Sequence, residues 1–250
     1  MVENYETTSS SSKGSARSKE TISKLDEGYS ESAIGQKDIA DVYNEIGADQ
    51  YDEWAIAVNW NAPNYLVDLI GIGCTLDIDL ESEVLDMGAG SGVIGRLLMQ
   101  KGFTNITGID ASEAMLTKAV ATGAYKATHC MYVGMGTDKY PDELKGRFDL
   151  VTACGCFIEG HIPSTGFDDV HASLKTNGYF VINFKECNWV EGAKEGLKEK
   201  LGELISEGKF KVVNESTSFR EEWRETEIGN NNKPVGEKIK DFYFIMQRMD

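Results

Sequence analysis

Residues Val84 to Gly92 read Val-Leu-Asp-Met-Gly-Ala-Gly-Ser-Gly, a short apolar run holding one acid and followed by three glycines at alternate positions. Glycines at a strand-to-helix turn let a nucleotide-type ligand approach the backbone, because a Cβ there would collide with the ligand or forbid the required φ. A dinucleotide turn spaces its glycines as G-x-G-x-x-G, and the third position of that pattern is occupied here by Val93. A second acid, Asp110, closes the apolar run Ile106–Ile109, about 20 residues beyond the turn, where a carboxylate suits two vicinal ribose hydroxyls. Asp at such a boundary also caps helices. Asp86 and the upstream glycines favour the ribose role.

For proton chemistry the candidate is His161, which with Glu159 follows the apolar run ending at Ala153. An imidazole titrates near cellular pH and can take a proton from a hydroxyl, thiol or amine; a loop histidine is more commonly a solvated side chain. His129 and His171 fall on or beside regular elements and carry less weight. Cys154 and Cys156 have no neighbouring base in the sequence and read as small buried hydrophobes.

The spacing Asp86-x-Gly88-x-Gly90-x-Gly92 resembles the signature of class I methyltransferases that bind S-adenosylmethionine. Over Glu83 to about Lys185 the chain resembles the methyltransferase-like proteins of the Williams-Beuren syndrome chromosome region. The resemblance is carried by Val84–Gly92, Gly102-Phe103, Gly108-Ile109-Asp110-Ala111-Ser112, Met115-Leu116 and Phe148-Asp149-Leu150-Val151, with Gly155 and Pro163. It implies a Rossmann-like α/β fold, S-adenosyl-L-methionine as cofactor and methyl transfer as the reaction.

It further implies that the turn of Asp86, Gly88, Ala89 and Gly90 faces the methionine part, that Asp110 holds the ribose, and that Ala111 and Met115 flank adenine. Ala153 and Cys154 would lie beneath the methionine portion. The loop after the third strand, where relatives place an acid on the adenine amine, reads Gly134-Met135-Gly136, so a backbone contact would replace it. Gln50-Tyr51-Asp52-Glu53-Trp54 resembles the segment that folds over the cofactor, making Tyr51 either a contact to the cofactor carboxylate or a packing aromatic. Relatives that methylate nucleobase or amide amines carry an Asn- or Asp-Pro-Pro-aromatic motif after the fourth strand. Cys154-Gly155-Cys156-Phe157 stands there instead and argues against amine acceptors of that kind.

Elements positioning these residues follow from periodicity. Ile39, Val42, Tyr43, Ile46 and Tyr51 line one face of a helix running from Asp38 toward Trp60; Pro63 ends it or starts the next, which Gly71 and Gly73 close. Strands are expected at 84–87, 106–110, 130–133, 148–153 and 179–184, with helices over 93–101, 112–121 and 167–174. Such alternation implies right-handed crossovers and a parallel sheet covered on both faces. A charged helix at 189–207 and two strands at 210–218 and 240–248 close the chain, giving a mostly parallel seven-stranded sheet with an antiparallel C-terminal strand. The segment Phe219–Arg224 reads as a loop, either a lid or a solvated stretch with Trp223 on the sheet.

At 250 residues the chain accommodates one α/β domain, spanning 38–250 after a Ser-rich tail over 1–37 that is too polar to order. Within it, 38–80 forms N-terminal helices over the site, 83–185 the core, and 186–250 the closing helix and strand pair. A net charge of −16 and the lack of a dense basic run past the tail disfavour nucleic acid as a partner. Five cysteines without C-x-x-C spacing suggest neither a metal site nor a disulfide framework, but buried thiols of a reducing compartment. No signal-peptide pattern or membrane-length apolar run is seen, so the cytosol is the expected location. The leading expectation is methyl transfer to a small-molecule acceptor. A cofactor-binding protein without catalysis remains open because turn residues serve binding rather than chemistry, and a nicotinamide-linked oxidoreductase is disfavoured by Val93.

Overall fold

A computed structural model describes residues 36–70, 76–228 and 234–250. The expectations for the tail up to residue 35, for Gly71, Gly73 and Cys74, for the side chain of Trp223 and for the loop at Gly229–Asn232 lie outside what is described. The elements are α1 (Gln36–Ile46), α2 (Ala48–Ala57), α3 (Ala62–Leu69), β1 (Glu83–Met87), α4 (Val93–Gln100), β2 (Asn105–Asp110), α5 (Glu113–Ala121), β3 (Tyr125–Cys130), β4 (Phe148–Ala153), α6 (Gly166–Ser173), β5 (Leu174–Lys185), α7 (Leu197–Ser206), β6 (Phe210–Ile228) and β7 (Pro234–Arg248). They build a seven-stranded sheet of order β3-β2-β1-β4-β5-β7-β6. β1 to β5 pair in parallel, while β7 runs antiparallel to both β5 and β6.

Alternation along each buried strand splits the core between two faces. Leu85, Met87, Val151, Phe180 and Ile182 pack with Phe167 and Val170 of α6 and Leu201 and Leu204 of α7. Val84, Ile106, Leu150 and Val181 face the other way, onto Leu66 and Val67 of α3 and Ile94 and Leu98 of α4. Phe157 stacks on Phe167 at 4.6 Å, fixing the start of the loop after β4 against the core.

Three expectations change, and one open alternative is resolved. The single helix from Asp38 to Trp60 is two, broken at Gly47, whose φ of 78° no helical residue adopts. Pro63 starts α3, where its missing N–H costs nothing. The third strand is 125–130 rather than 130–133. β3 is the sheet edge and only partly buried, so it lacks an apolar stripe, and Met131-Tyr132-Val133 is loop. The charged helix covers only Leu197–Ser206, because Gly192 and Gly196 take positive φ before it.

The closing hairpin is longer than expected. β7 pairs with β5 only from Asp241 to Gln247, whereas its ladder with β6 continues back to Pro234. The hairpin thus extends past Lys185, beyond the carboxyl edge of the parallel strands. The segment 219–224, read as a loop, is strand. Of the cysteines, Cys154 and Cys156 are buried, but Cys130 and Cys187 are exposed. Among the described residues, no helix is long and apolar enough to cross a membrane.

Candidate functional site

At the carboxyl edge of the parallel strands the turn after β1 is pinned to β2. Gly88 and Ala89 donate their N–H groups to the Ile109 carbonyl at 2.8 and 2.9 Å, and Gly90 donates to Asp110 Oδ2 at 2.8 Å. Gly90 has a φ of 53° and nothing within 4 Å of where a Cβ would stand, so its open side is groove. Gly92 opens α4 in the left-handed region, and a Cβ there would meet the Ala119 backbone at 2.8 Å.

Asp110 serves the turn with one oxygen and α5 with the other, accepting from Ser112 N–H at 2.9 Å. The residue capping α5 is Ser112, whose Oγ accepts from Met115 N–H at 3.2 Å. A carboxylate has about four acceptor sites, and the backbone N–H groups of Gly90, Ser112 and Ala111 use only part of that capacity. Burial raises its pKa.

The groove has two halves, of about 80 and 70 Å³, that share Tyr43, Gly88, Asp110, Cys156 and His161. One half is walled by Tyr51, Trp60, Pro63, Ala89, Gly90, Ser91, Met115, Cys154 and Gly155. The other is walled by Ile39, Ala40, Ala111, Met131, Tyr132 and Val133. Ala111 and Met115, expected together, therefore fall in different halves.

α1 and α2 roof this groove and are tied to its floor. Ser91 Oγ donates to Asp52 Oδ1 at 2.6 Å, Ser112 Oγ to Asn44 Oδ1 at 2.8 Å, and Lys118 Nζ reaches both Asp49 and Asp52. Tyr51 sits among aromatics, edge-on to Tyr43 at 5.7 Å and to Trp60 at 6.3 Å. Trp60 in turn lies over Gly155, where a Cβ would stand 2.8 Å from its ring, and Gly155 N–H donates to Asn183 Oδ1 at 2.9 Å.

His161 belongs to this roof rather than to solvent. Its Nδ1 lies 3.0 Å from the Glu159 carbonyl and its Nε2 2.8 Å from Tyr43 Oη. A carbonyl only accepts, so Nδ1 carries the proton and Tyr43 donates to Nε2. Burial lowers the His161 pKa to about 4, leaving the ring neutral at physiological pH.

Other expected site residues lie elsewhere. Asp86 is buried beneath the turn, accepting from Tyr125 Oη at 2.6 Å and Thr152 Oγ1 at 3.0 Å, with its pKa raised to about 6 by burial. It supports the turn from behind and lines neither half of the groove. Ala153 is likewise fully covered inside the sheet. Gly134 and Met135 line a separate open cleft with Asp168, His171 and Lys209. The earlier end of β3 explains this: the loop enters the groove at Met131, three residues sooner. Cys156, read as a plain core residue, lies under the groove with its S–H directed to the Met87 carbonyl at 3.2 Å, and burial pushes its thiol pKa up. Tyr43 and Trp60 carried a faint signal, an aromatic on an aliphatic helical stripe and a Trp just before a proline-led helix. Neither by itself reveals a groove.

The family described as "Methyltransferase domain" matches residues 84–178. Methyltransferase-like protein 27 of Homo sapiens is 26% identical over 161 residues, 64% of this chain and 64% of that protein. Ubiquinone biosynthesis O-methyltransferase of Pseudomonas aeruginosa (strain UCBPP-PA14) is 26% identical over 160 residues, 64% of this chain and 66% of the relative. The chain thus spans a little under two thirds of the length of these curated relatives. Among solved structures, magnesium protoporphyrin IX methyltransferase from Synechocystis PCC 6803 with bound SAH has the same fold, with a TM-score of 0.55 at 14% identity over 84% of this chain and 97% of that one.

Proposed function

We propose that this chain is a class I S-adenosylmethionine-dependent methyltransferase and transfers a methyl group from S-adenosyl-L-methionine to a small-molecule acceptor. The observation that carries this reading is the open, left-handed Gly90 turn bonded to Asp110 at 2.8 Å, with both residues lining the groove. That cradle suits the donor. The open side of Gly90 admits close approach, the remaining acceptor capacity of Asp110 suits ribose hydroxyls, and the apolar loop Met131–Val133 suits a flat base.

Bound there, the donor supplies an electrophilic methyl group on sulfur. The chain's part is to position and to exclude water, since in-line methyl transfer disperses charge and gains from both. Tyr51, Trp60 and Pro63 close the half of the groove next to Cys154 and Gly155, where the acceptor would enter. A narrow aromatic pocket under two tethered helices favours a small flat acceptor over a polymer, in keeping with the small-molecule biosynthesis in the name of the Pseudomonas relative.

The test is incubation of the purified chain with methyl-labelled donor and, in separate arms, a deproteinised metabolite extract or the protein fraction removed from it. Label is expected in small organic products. Label found only in added protein would replace the small-molecule reading with a side-chain acceptor, and no transfer to either would leave a cofactor-binding protein without catalysis.

A further inference from the structure

Resting on the methyltransferase reading, we propose that Tyr43 and His161 form a proton-accepting pair for a phenolic acceptor, with Tyr43 Oη as the atom that meets the acceptor hydroxyl. Three observations converge. Tyr43 and His161 both line the part of the groove common to its two halves, beside Gly88. The Glu159 carbonyl at 3.0 Å holds the Nδ1–H tautomer, so the Nε2 lone pair points at Tyr43 Oη, 2.8 Å away. Nearby acidic groups have other partners. Asp110 accepts from the backbone N–H groups of Gly90, Ser112 and Ala111, the Cys156 thiol is directed at Met87, and the Glu159 carboxylate takes Lys194 Nζ at 2.5 Å.

The chemistry balances. As the methyl carbon exchanges its bond to sulfur for one to the acceptor oxygen, the sulfur keeps the electron pair. The acceptor proton passes to Tyr43 Oη while the Tyr43 proton passes to His161 Nε2. Imidazolium forms as the positive charge on sulfur is lost, so the cavity's net charge is unchanged, which matters where the dielectric is low. Burial keeps His161 neutral beforehand and its lone pair available. A phenol is the matched acceptor because its proton moves to a group of its own kind, and because Tyr51 and Trp60 offer flat walls beside the pair.

The experiment uses the full chain, methyl-labelled donor and catechol as probe acceptor. Wild type is expected to yield O-methylcatechol. Tyr43→Phe and His161→Gln should each lower kcat by about 100-fold while the catechol KM and the Kd for S-adenosylhomocysteine move by less than about threefold, and the double variant should be no slower than the slower single one. As a second readout, nitrogen NMR of the S-adenosylhomocysteine complex should find His161 as the Nδ1–H tautomer, with Nε2 moving downfield in Tyr43→Phe. A Tyr43→Phe variant with unchanged kcat, or an Nε2–H tautomer, overturns the pair. A wild-type chain that binds S-adenosylhomocysteine but leaves catechol unmethylated overturns the phenolic assignment. Failure to bind S-adenosylhomocysteine overturns the methyltransferase reading instead.

Discussion

Asp86 holds its proton more tightly in the folded chain than out of it, at about 6 against an ordinary 3.8, so its contribution to stability is present below about pH 4 and lost as pH rises to about 6. His161 does the reverse. Its pKa falls from 6.5 to about 4, so its contribution is complete above pH 6.5 and lost as pH drops toward 4. Each shift corresponds to about 3 kcal/mol, and the two nearly cancel over the same window. Urea unfolding of the wild type, Asp86→Asn and His161→Gln at steps from pH 4 to 7 should reveal this. Relative to wild type, Asp86→Asn should lose stability on acidification and His161→Gln should gain it, each by about 3 kcal/mol. Other titrating groups are common to all three chains and drop out of the comparison, so parallel curves would contradict both assignments. The sequence identified both residues as notable but not their surroundings. Asp86 reads as part of a ligand turn because the signature contains it, whereas its partners Tyr125 and Thr152 are 39 and 66 residues away.

Among elements, the β1–α4 turn carries the clearest division of labour. Gly90 faces open groove and Gly92 faces the α5 backbone. Alanine at position 90 is expected to cost about 1–2 kcal/mol of stability from the left-handed φ, yet to weaken S-adenosylhomocysteine binding strongly because its methyl projects into the ligand's space. Alanine at position 92 adds overlap with Ala119 to the same strain and should destabilise the fold more than Gly90→Ala does, with affinity per folded molecule less affected. Thermal unfolding paired with calorimetric titration separates them, and equal effects on both readouts would deny the distinction. Boundaries of β1, β2, β4 and α4 were legible because those elements are buried and periodic. β3 and the β6–β7 hairpin were not, since an edge strand and a charged ribbon lack the apolar alternation that marks a strand.

For the whole molecule, the sheet edge is joined to the N-terminal helices around the groove through Ser91–Asp52, Ser112–Asn44 and Lys118 with Asp49 and Asp52. Exposed ion pairs contribute little singly, so the ligand itself should supply much of the cohesion between roof and floor. S-adenosylhomocysteine at about 100 times its Kd is expected to stabilise the fold by about 2.7 kcal/mol, a rise in Tm of about 5–10 °C. Unchanged melting at millimolar ligand would remove the cofactor assignment. The sequence by itself determined the parallel core, the glycine turn and the acid beside it, because each is written in neighbouring residues: a buried strand, glycines at positions where a side chain is strained or crowded, and a carboxylate at a strand end. Only the tertiary structure decided that Asp86 lies buried behind the turn rather than in the groove, that Met131–Val133 rather than Gly134-Met135 walls the groove, and that His161 is a neutral partner of Tyr43. Those assignments depend on side chains brought together across 39 to 118 residues of chain, a proximity created by packing that no local pattern encodes.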